Sequence, residues 1–234
     1  NQSSHIILGA GASGLMLAYR MSLDSYFDDK SILIIDQVKD KGNDKTWCYW
    51  EEGEGEWDEL LTKKWPKVFF GSKDFTETLD ISPYSYKMIR SEKFYHKLWR
   101  SIELKSNITF VEDSVISYSE IDNRVKVVTN KSTYFGLKLL NSILDKKVYE
   151  TQQKYPVLKQ HFVGWFVKTK TDCFDDSIAT FMDFNIPQNG NTRFMYVLPI
   201  DKNIALFEYT LFSKDLLEHS EYEEAIKDYL KEKK

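Results

Sequence analysis

Two carboxylic acids stand in apolar surroundings, where a charge needs a reason. Glu208 sits in "LFEYT", between Leu206, Phe207 and the run Tyr209–Leu211. Asp183 sits in "FMDF". Burial disfavours the charged form of a carboxyl and raises its pKa, so an acid in such a place can hold a proton and deliver it. Glu208 is the first candidate for that work. In strand alternation it shares a face with Leu206 and Thr210; the plainer alternative is an edge-strand carboxylate pointing into water. Asp183 is either a second site acid or a structural group bonded to backbone. Arg193 in "TRFMYVLP" could pair with Asp183, but reads more simply as a solvated strand end. Asp175 in "CFDD" reads as a turn cap.

A third constellation binds rather than reacts. "GAGASG" sets Gly9, Gly11 and Gly14 in G-x-G-x-x-G spacing. The first glycine permits a tight turn, the second lets the backbone approach a pyrophosphate, and the third lets a helix pack close to a strand. The helix N-terminus then offers free N–H groups and the positive end of its dipole to phosphates. Asp36 follows Gly14 by 36 − 14 = 22 residues, near the roughly 20 expected for a ribose-binding acid. An acid there favours two free ribose hydroxyls, as in FAD or NAD, and repels a 2′-phosphate.

These residues need elements to hold them. Residues 5–36 read as a β-α-β unit: "HIILGA" is a short apolar strand, "SGLMLAYRMSLD" an amphipathic helix, and "SILIID" a fully apolar strand suited to buried parallel pairing. Residues 37–64 read as a long loop with a short helix, carrying Trp47, Trp50 and Trp57. "KVFFGSKDFTETLDI" suggests a hairpin, and "SEKFYHKLWRSIELK" a helix with Phe94, Leu98 and Ile102 on one face. Strands are expected at "ITFVEDSVISYSE", "RVKVVTN" and "TYFGLKLLNSI". From Gln160 onward four strand-like segments follow, separated by turns such as "PQNGN" and "DKN". They predict an antiparallel sheet, closed by a charged helix at "SEYEEAIKDYLKEKK". A soft boundary near Pro156 divides the chain into 1–150, a dinucleotide-binding domain with strand insertions and an approximate, discontinuous extent, and 151–234, an antiparallel-sheet substrate domain. The fold class is α/β, Rossmann-like, and an N-terminal fingerprint followed by a β-rich section is the layout of flavoproteins more than of simple dehydrogenases.

Composition narrows the function. Charge is nearly balanced, 32 Lys+Arg against 36 Asp+Glu, which gives no clustered positive surface and no nucleic-acid partner. Aromatic residues reach 15%, which suits a core and also an apolar substrate. Cys48 and Cys173 form no C-x-x-C pair, so a reducing compartment is the default. The four histidines are scattered, and neither a metal site, a His-based triad nor a G-x-S-x-G elbow is expected. No apolar run reaches the ~18 residues of a membrane span. The chain begins at Asn1 rather than Met, so some residues are expected to precede it.

Further stretches add a resemblance. "IILGAGASGLMLA", "TWCYWE", "QHFVGWFVKT…FD…ATFMDF", "RFMYVLP" and "ALFEYTLFS", spread from Ile6 to Ser213, are together similar to the lycopene β-cyclase family, particularly its bacterial members. The resemblance implies an FAD-binding protein with a two-domain fold similar to aromatic hydroxylases, its antiparallel substrate domain inserted into a Rossmann-like one. It implies cyclisation of the linear ends of lycopene to β-ionone rings, with no net redox change, using reduced flavin and NAD(P)H as electron source. Because substrate and product are membrane hydrocarbons, it implies a cytoplasmic protein at the inner face of the cell membrane.

Residue by residue, Glu208 matches the first acid of the family's Glu-Glu-Thr or Glu-Asp-Thr pattern, while Tyr209 departs at the second position. Asp183 matches a Met-Asp stretch. Trp47 and Trp50 match a Thr-Trp-Cys-Phe-Trp pattern; with Tyr196 they are expected to line the substrate or flavin site, or else to pack a loop. Ser142 lies where related flavoproteins bring a second strand end to the cofactor. The family continues beyond this chain with a second flavin-contacting segment and a helical portion, so a truncated chain is expected. Readings of a different class remain: an FAD-dependent monooxygenase or isoprenoid reductase of the same fold, or a non-catalytic nucleotide-binding fragment.

Overall fold

The computed structural model describes residues 2–144, 151, 154–155 and 157–232. In chain order the elements begin with β1 (Gln2–Leu8), α1 (Ala12–Leu23), β2 (Ile32–Asp36), β3 (Thr46–Glu52), β4 (Leu61–Trp65), β5 (Lys67–Ser72), β6 (Phe75–Asp80) and β7 (Tyr84–Arg90). Then come α2 (Ser91–Ile102), β8 (Ile108–Glu112), β9 (Val115–Ile121), β10 (Arg124–Thr129) and β11 (Thr133–Asn141). The chain closes with β12 (Lys159–Lys168), β13 (Ile178–Asp183), β14 (Thr192–Asp201), β15 (Ile204–Ser213) and α3 (His219–Glu232).

Two compact units emerge. The first takes Asn1–Thr46 with Arg90–Lys146, the second Trp47–Ile89 with Lys147–Lys234. Residues 47–89 thus lie with the C-terminal half, whereas the linear division at 150 placed them with the N-terminal half. The physical reason is strand pairing: β5 runs parallel to β13, register Ile178↔Lys67 to Asp183↔Gly71, and cannot leave that sheet. Residues 145–150 and Pro156, where the sequence boundary was drawn, fall outside the described residues.

The first unit is built on a six-stranded sheet in the order β8-β2-β1-β11-β10-β9. β8, β2, β1 and β11 run parallel, and β10 and β9 extend the sheet antiparallel. Ile6, Ile7 and Leu8 in β1 and Ile32, Ile34 and Ile35 in β2 have no exposed surface, the result expected of apolar strands buried on both faces. α2 buries Phe94, Tyr95, Leu98, Trp99 and Ile102 as one stripe, and it packs against α1. The β9–β10 turn places Asp122 and Asn123 at φ 51° and 60°, a two-residue hairpin geometry that short polar side chains tolerate.

The second unit carries a six-stranded sheet in the order β12-β15-β14-β13-β5-β6 and a three-stranded sheet β3-β7-β4. The four C-terminal strands pair antiparallel, as their turn chemistry predicts, and the β5–β6 hairpin adds to them through the parallel β13–β5 pair. Residues 37–64 differ from the expected loop: β3 and β4 occupy much of them. Strand pairing with β7 supplies what local sequence did not.

Each face of the larger sheet has its own core. On one, α3 lays Tyr222, Ile226 and Tyr229 over Met195, Val197, Phe207 and Tyr209. On the other, Trp65, Tyr86, Met88, Leu198 and Leu206 pack with Cys48, Phe181 and Tyr196. Trp65 is fully buried and donates its indole N–H to the Pro199 carbonyl at 2.9 Å. Lys87 is also fully buried, and its ammonium donates to Glu51 (2.8 Å), Asp58 (2.6 Å) and the Gly53 carbonyl (2.9 Å). All three donors of the ammonium are thereby satisfied, which pins the segment after β3 to β7.

Candidate active site

The dinucleotide cradle lies in the first unit. Gly9 adopts φ +92°, a left-handed conformation that L side chains rarely take. A Cβ on Gly14 would stand 1.9 Å from the Gly9 carbonyl oxygen, so the helix start and the turn are in backbone contact there. A Cβ on Gly11 would meet nothing within 4 Å, which leaves the backbone at the N-terminus of α1 open to approach. Gly9 thus makes the turn, Gly14 the close helix contact, and Gly11 leaves its backbone uncovered.

Asp36 ends β2 beside this turn. Its Oδ2 accepts from Ala10 N at 2.6 Å, and its Oδ1 accepts from Lys41 Nζ at 2.7 Å and Val38 N at 3.1 Å. Burial acts to raise the pKa of this carboxyl, but the Lys41 hydrogen bond and the two backbone N–H groups outweigh it and hold it below the ordinary range. A carboxylate has about four acceptor positions, so these three bonds leave one open. Ser142 donates its hydroxyl to the Leu8 carbonyl at 2.7 Å, and a Cβ on Gly9 would lie 2.5 Å from Ser142 Oγ. Ser142 thus locks the Gly9 turn from the end of β11.

The acid lies in the second unit. Register places Gly164 of β12, Glu208 of β15 and Tyr196 of β14 in one row across the sheet. Phe181 of β13 continues the row, 5.9 Å ring to ring from Tyr196. Trp50 lies tilted against Tyr86 at 4.8 Å and edge-on to Phe181 at 5.2 Å, ring to ring. Glu208 is half-buried on this aromatic face, and burial pushes its carboxyl above the ordinary carboxylate range. Burial also pushes the Cys48 thiol up to about 12, aided by the nearby Glu208 charge, and it raises Tyr86 and Tyr196 above the usual phenol range. The neighbours of Glu208 therefore stay neutral near pH 7, and Glu208 is the group among these that can change charge.

Trp50 and Trp47 part company here. They are three residues apart on β3, so they point to opposite faces of the strand. Trp50, with Cys48, faces Tyr86 and Phe181, and 43% of it remains exposed. Trp47 is on the other side.

Asp183 does not join Glu208. Between Thr180 and Asp183 the β13–β14 register slips, from Thr180↔Val197 to Asp183↔Met195. A bulge of this kind re-aims the side chains beyond it. Without it Asp183 would lie opposite Phe194, on the face of Glu208; with it Asp183 turns to the α3 side. There it is fully buried, accepts from the Tyr229 hydroxyl at 2.7 Å and receives Asn185 N at 3.0 Å. Of the two roles open to it from sequence, this geometry is that of the structural group. Arg193, expected to be a solvated strand end, is instead 6% exposed and donates to the Tyr209 hydroxyl at 3.0 Å. Asp175 accepts from Ser177 N and Oγ and so caps a turn. Gly164, Tyr86 and Phe181 were not singled out from sequence. The available signal was Gly164, since an isolated glycine in a strand marks a bulge or a close approach.

Among the described residues no group of three or more His, Cys, Asp and Glu side chains is placed to hold a metal ion. No helix there is long and apolar enough to cross a membrane.

The fold is that of flavoproteins. A geranylgeranyl bacteriochlorophyll reductase-like protein from Thermoplasma acidophilum superposes with TM-score 0.69 at 10% identity, over 99% of this chain and 62% of that one. The flavin-dependent brominase Bmp2 gives 0.62 at 13% identity, over 99% and 61%. A flavoprotein/dehydrogenase from Cytophaga hutchinsonii gives 0.59 at 10% identity, over 100% and 62%. The chain thus spans about three-fifths of the length of these structures. Comparison with curated protein sequences finds no match. The family model described as lycopene cyclase protein matches residues 5–234, nearly the whole chain, and the chain belongs to that family.

Proposed function

We propose that this chain acts as a lycopene β-cyclase, which closes the linear ends of lycopene into β-ionone rings by acid–base chemistry. The observation that carries the reading is Glu208, a half-buried carboxyl with a raised pKa on an otherwise neutral, aromatic sheet face, in a chain of this family. The protonated carboxyl gives its proton to a terminal double bond. The resulting cation is attacked by a second double bond of the same chain, and a ring proton leaves. Protons balance, and no electrons are gained or lost. The rings of Tyr196, Phe181 and Trp50 offer faces to a cation, each worth roughly 0.5–2 kcal/mol. Water has to be kept from the cation, which it would otherwise quench as an alcohol.

FAD fits the first unit. Gly9, Gly11 and Gly14 would hold its pyrophosphate against the N-terminus of α1, Asp36 its ribose, and Ser142 would keep the turn in shape. A reduced flavin supplies negative charge that can stabilise a carbocation, with NAD(P)H as the source of its electrons. Because lycopene is a membrane hydrocarbon, the protein is expected in the cytoplasm, in peripheral contact with the inner face of the cell membrane.

A second reading, an FAD-dependent monooxygenase or isoprenoid reductase, is favoured by the likeness to the reductase-like and brominase structures. Expression of the full gene in lycopene-accumulating cells separates the two. The cyclase reading predicts β-carotene or a one-ended product, with NAD(P)H consumed only in reducing the flavin. Lycopene persisting beside flavin-loaded protein, or NAD(P)H consumed one for one with product, overturns it.

A further inference from the structure

β12 is an edge strand with an unusual outer half. His161, Val163, Trp165 and Val167 alternate toward the α3 side, where the three apolar ones pack. Phe162, Gly164 and Phe166 alternate toward the Glu208 side, and the two phenylalanines are 56% and 48% exposed. Gly164 lies directly opposite Glu208. Glycine inside a strand costs roughly 0.5–1 kcal/mol relative to alanine, so its presence calls for a cause. Conformation is not the cause, because Gly164 is not among the glycines at positive φ. Space is. A Cβ there would stand 2.9 Å from Glu208 Cγ, 3.3 Å from its Oε1 and 3.3 Å from Leu206 Cδ1. The arm of Glu208 lies across the gap that the missing side chain leaves.

We infer that Gly164 is a positioning residue for Glu208: by carrying no side chain it lets the arm of that acid lie across the strand, and so it sets where the carboxyl delivers its proton. The inference rests on the cyclase reading for the reaction. A side chain at 164 would compete for the space the Glu208 arm now fills and push the carboxyl aside. Phe162 and Phe166, two residues to either side on the same face, leave that space untouched.

The test is made in the full gene product. Gly164→Ala is expected to fold with unchanged or slightly raised Tm, since alanine suits a strand better than glycine does. Its turnover of lycopene is expected to fall about tenfold or more, because even ~1 Å of misplacement at a reacting group can cost on the order of a hundredfold. The displaced carboxyl is read by the pH dependence of turnover: its midpoint should shift in Gly164→Ala and stay at the wild-type position in Phe162→Ala and Phe166→Ala, which leave the space at 164 unchanged. Wild-type turnover in Gly164→Ala, lowered turnover with an unmoved pH profile, or a large loss of Tm overturns the inference. If the wild type yields no cyclic product, the cyclase reading fails, and the position of the carboxyl is then read from the NMR titration of Glu208; identical titration in the wild type and Gly164→Ala overturns the inference.

Discussion

A Cβ at Gly14 and a Cβ at Gly11 have opposite consequences, and the contrast separates fold from cofactor. At Gly14 the new carbon would be 1.9 Å from the Gly9 oxygen and 2.9 Å from Ser142 Oγ. Ordinary contact begins near 3.4 Å, so the start of α1 must move about 3.4 − 1.9 = 1.5 Å from the turn. Overpacking costs about 1–3 kcal/mol, a backbone clash this deep belongs in the upper part of that range, ~2–3 kcal/mol, and helix propensity returns about 1 kcal/mol of it. The net loss of ~1–2 kcal/mol corresponds to a fall of roughly 2–8 °C in Tm for a chain of this size. At Gly11 the φ is −78° and nothing lies within 4 Å, so alanine should leave stability within about 0.5 kcal/mol. It would, however, project where a pyrophosphate must approach. Flavin affinity of the full gene product should therefore drop about tenfold or more, ~1.4 kcal/mol. Thermal unfolding of the apoprotein and flavin titration by fluorescence are the assays. Gly11→Ala binding flavin like the wild type, or Gly14→Ala unfolding at the wild-type temperature, would refute this account of the cradle.

Replacing both Glu51 and Asp58 by their amides leaves Lys87 buried beside neutral partners. The expected loss is about 3–5 kcal/mol, read by urea unfolding, and Lys87→Met in the same background should recover much of it. His161 links β12 to α3: Leu217 N donates to the Tyr222 hydroxyl, whose oxygen lies 2.6 Å from His161 Nδ1, while Nε2 lies 2.8 Å from Ser213 Oγ. Burial, with Lys159 and Arg193 nearby, lowers the His161 pKa from 6.5. A depressed base stabilises the fold above its ordinary pKa and loses that contribution as pH falls through the lowered value. Amide protection in α3, taken relative to the intrinsic exchange rate at each pH, should accordingly fall as pH drops below the ordinary histidine value, and Tyr222→Phe should flatten that dependence.

Much of the first unit was legible because backbone geometry dictates residue type there. Only glycine suits Gly9 at positive φ and Gly14 against a carbonyl, and an apolar run such as "ILIID" has no other buried use. The second unit was less so. Glu208 was found from an acid among apolar neighbours, a local signal. That Asp183 turns away from it depends on a single extra residue in β13, and sequence alternation carries no mark of a bulge. Arg193 was misplaced because its partner, Tyr209, is supplied by the neighbouring strand. Trp50 and Trp47 could be told apart only once β3 was known to be a strand, and β3 exists through pairing with distant chain.

Deuterium counting tests the central claim most directly. Wild-type full-length protein turns over lycopene in D2O, and the product is analysed by mass spectrometry beside Glu208→Gln. Proton delivery by Glu208 predicts a single deuterium per ring formed, a rate that declines as pH rises through the raised Glu208 pKa, and no rings from the amide variant. Rings without deuterium, or rings formed at the wild-type rate by Glu208→Gln, would contradict it.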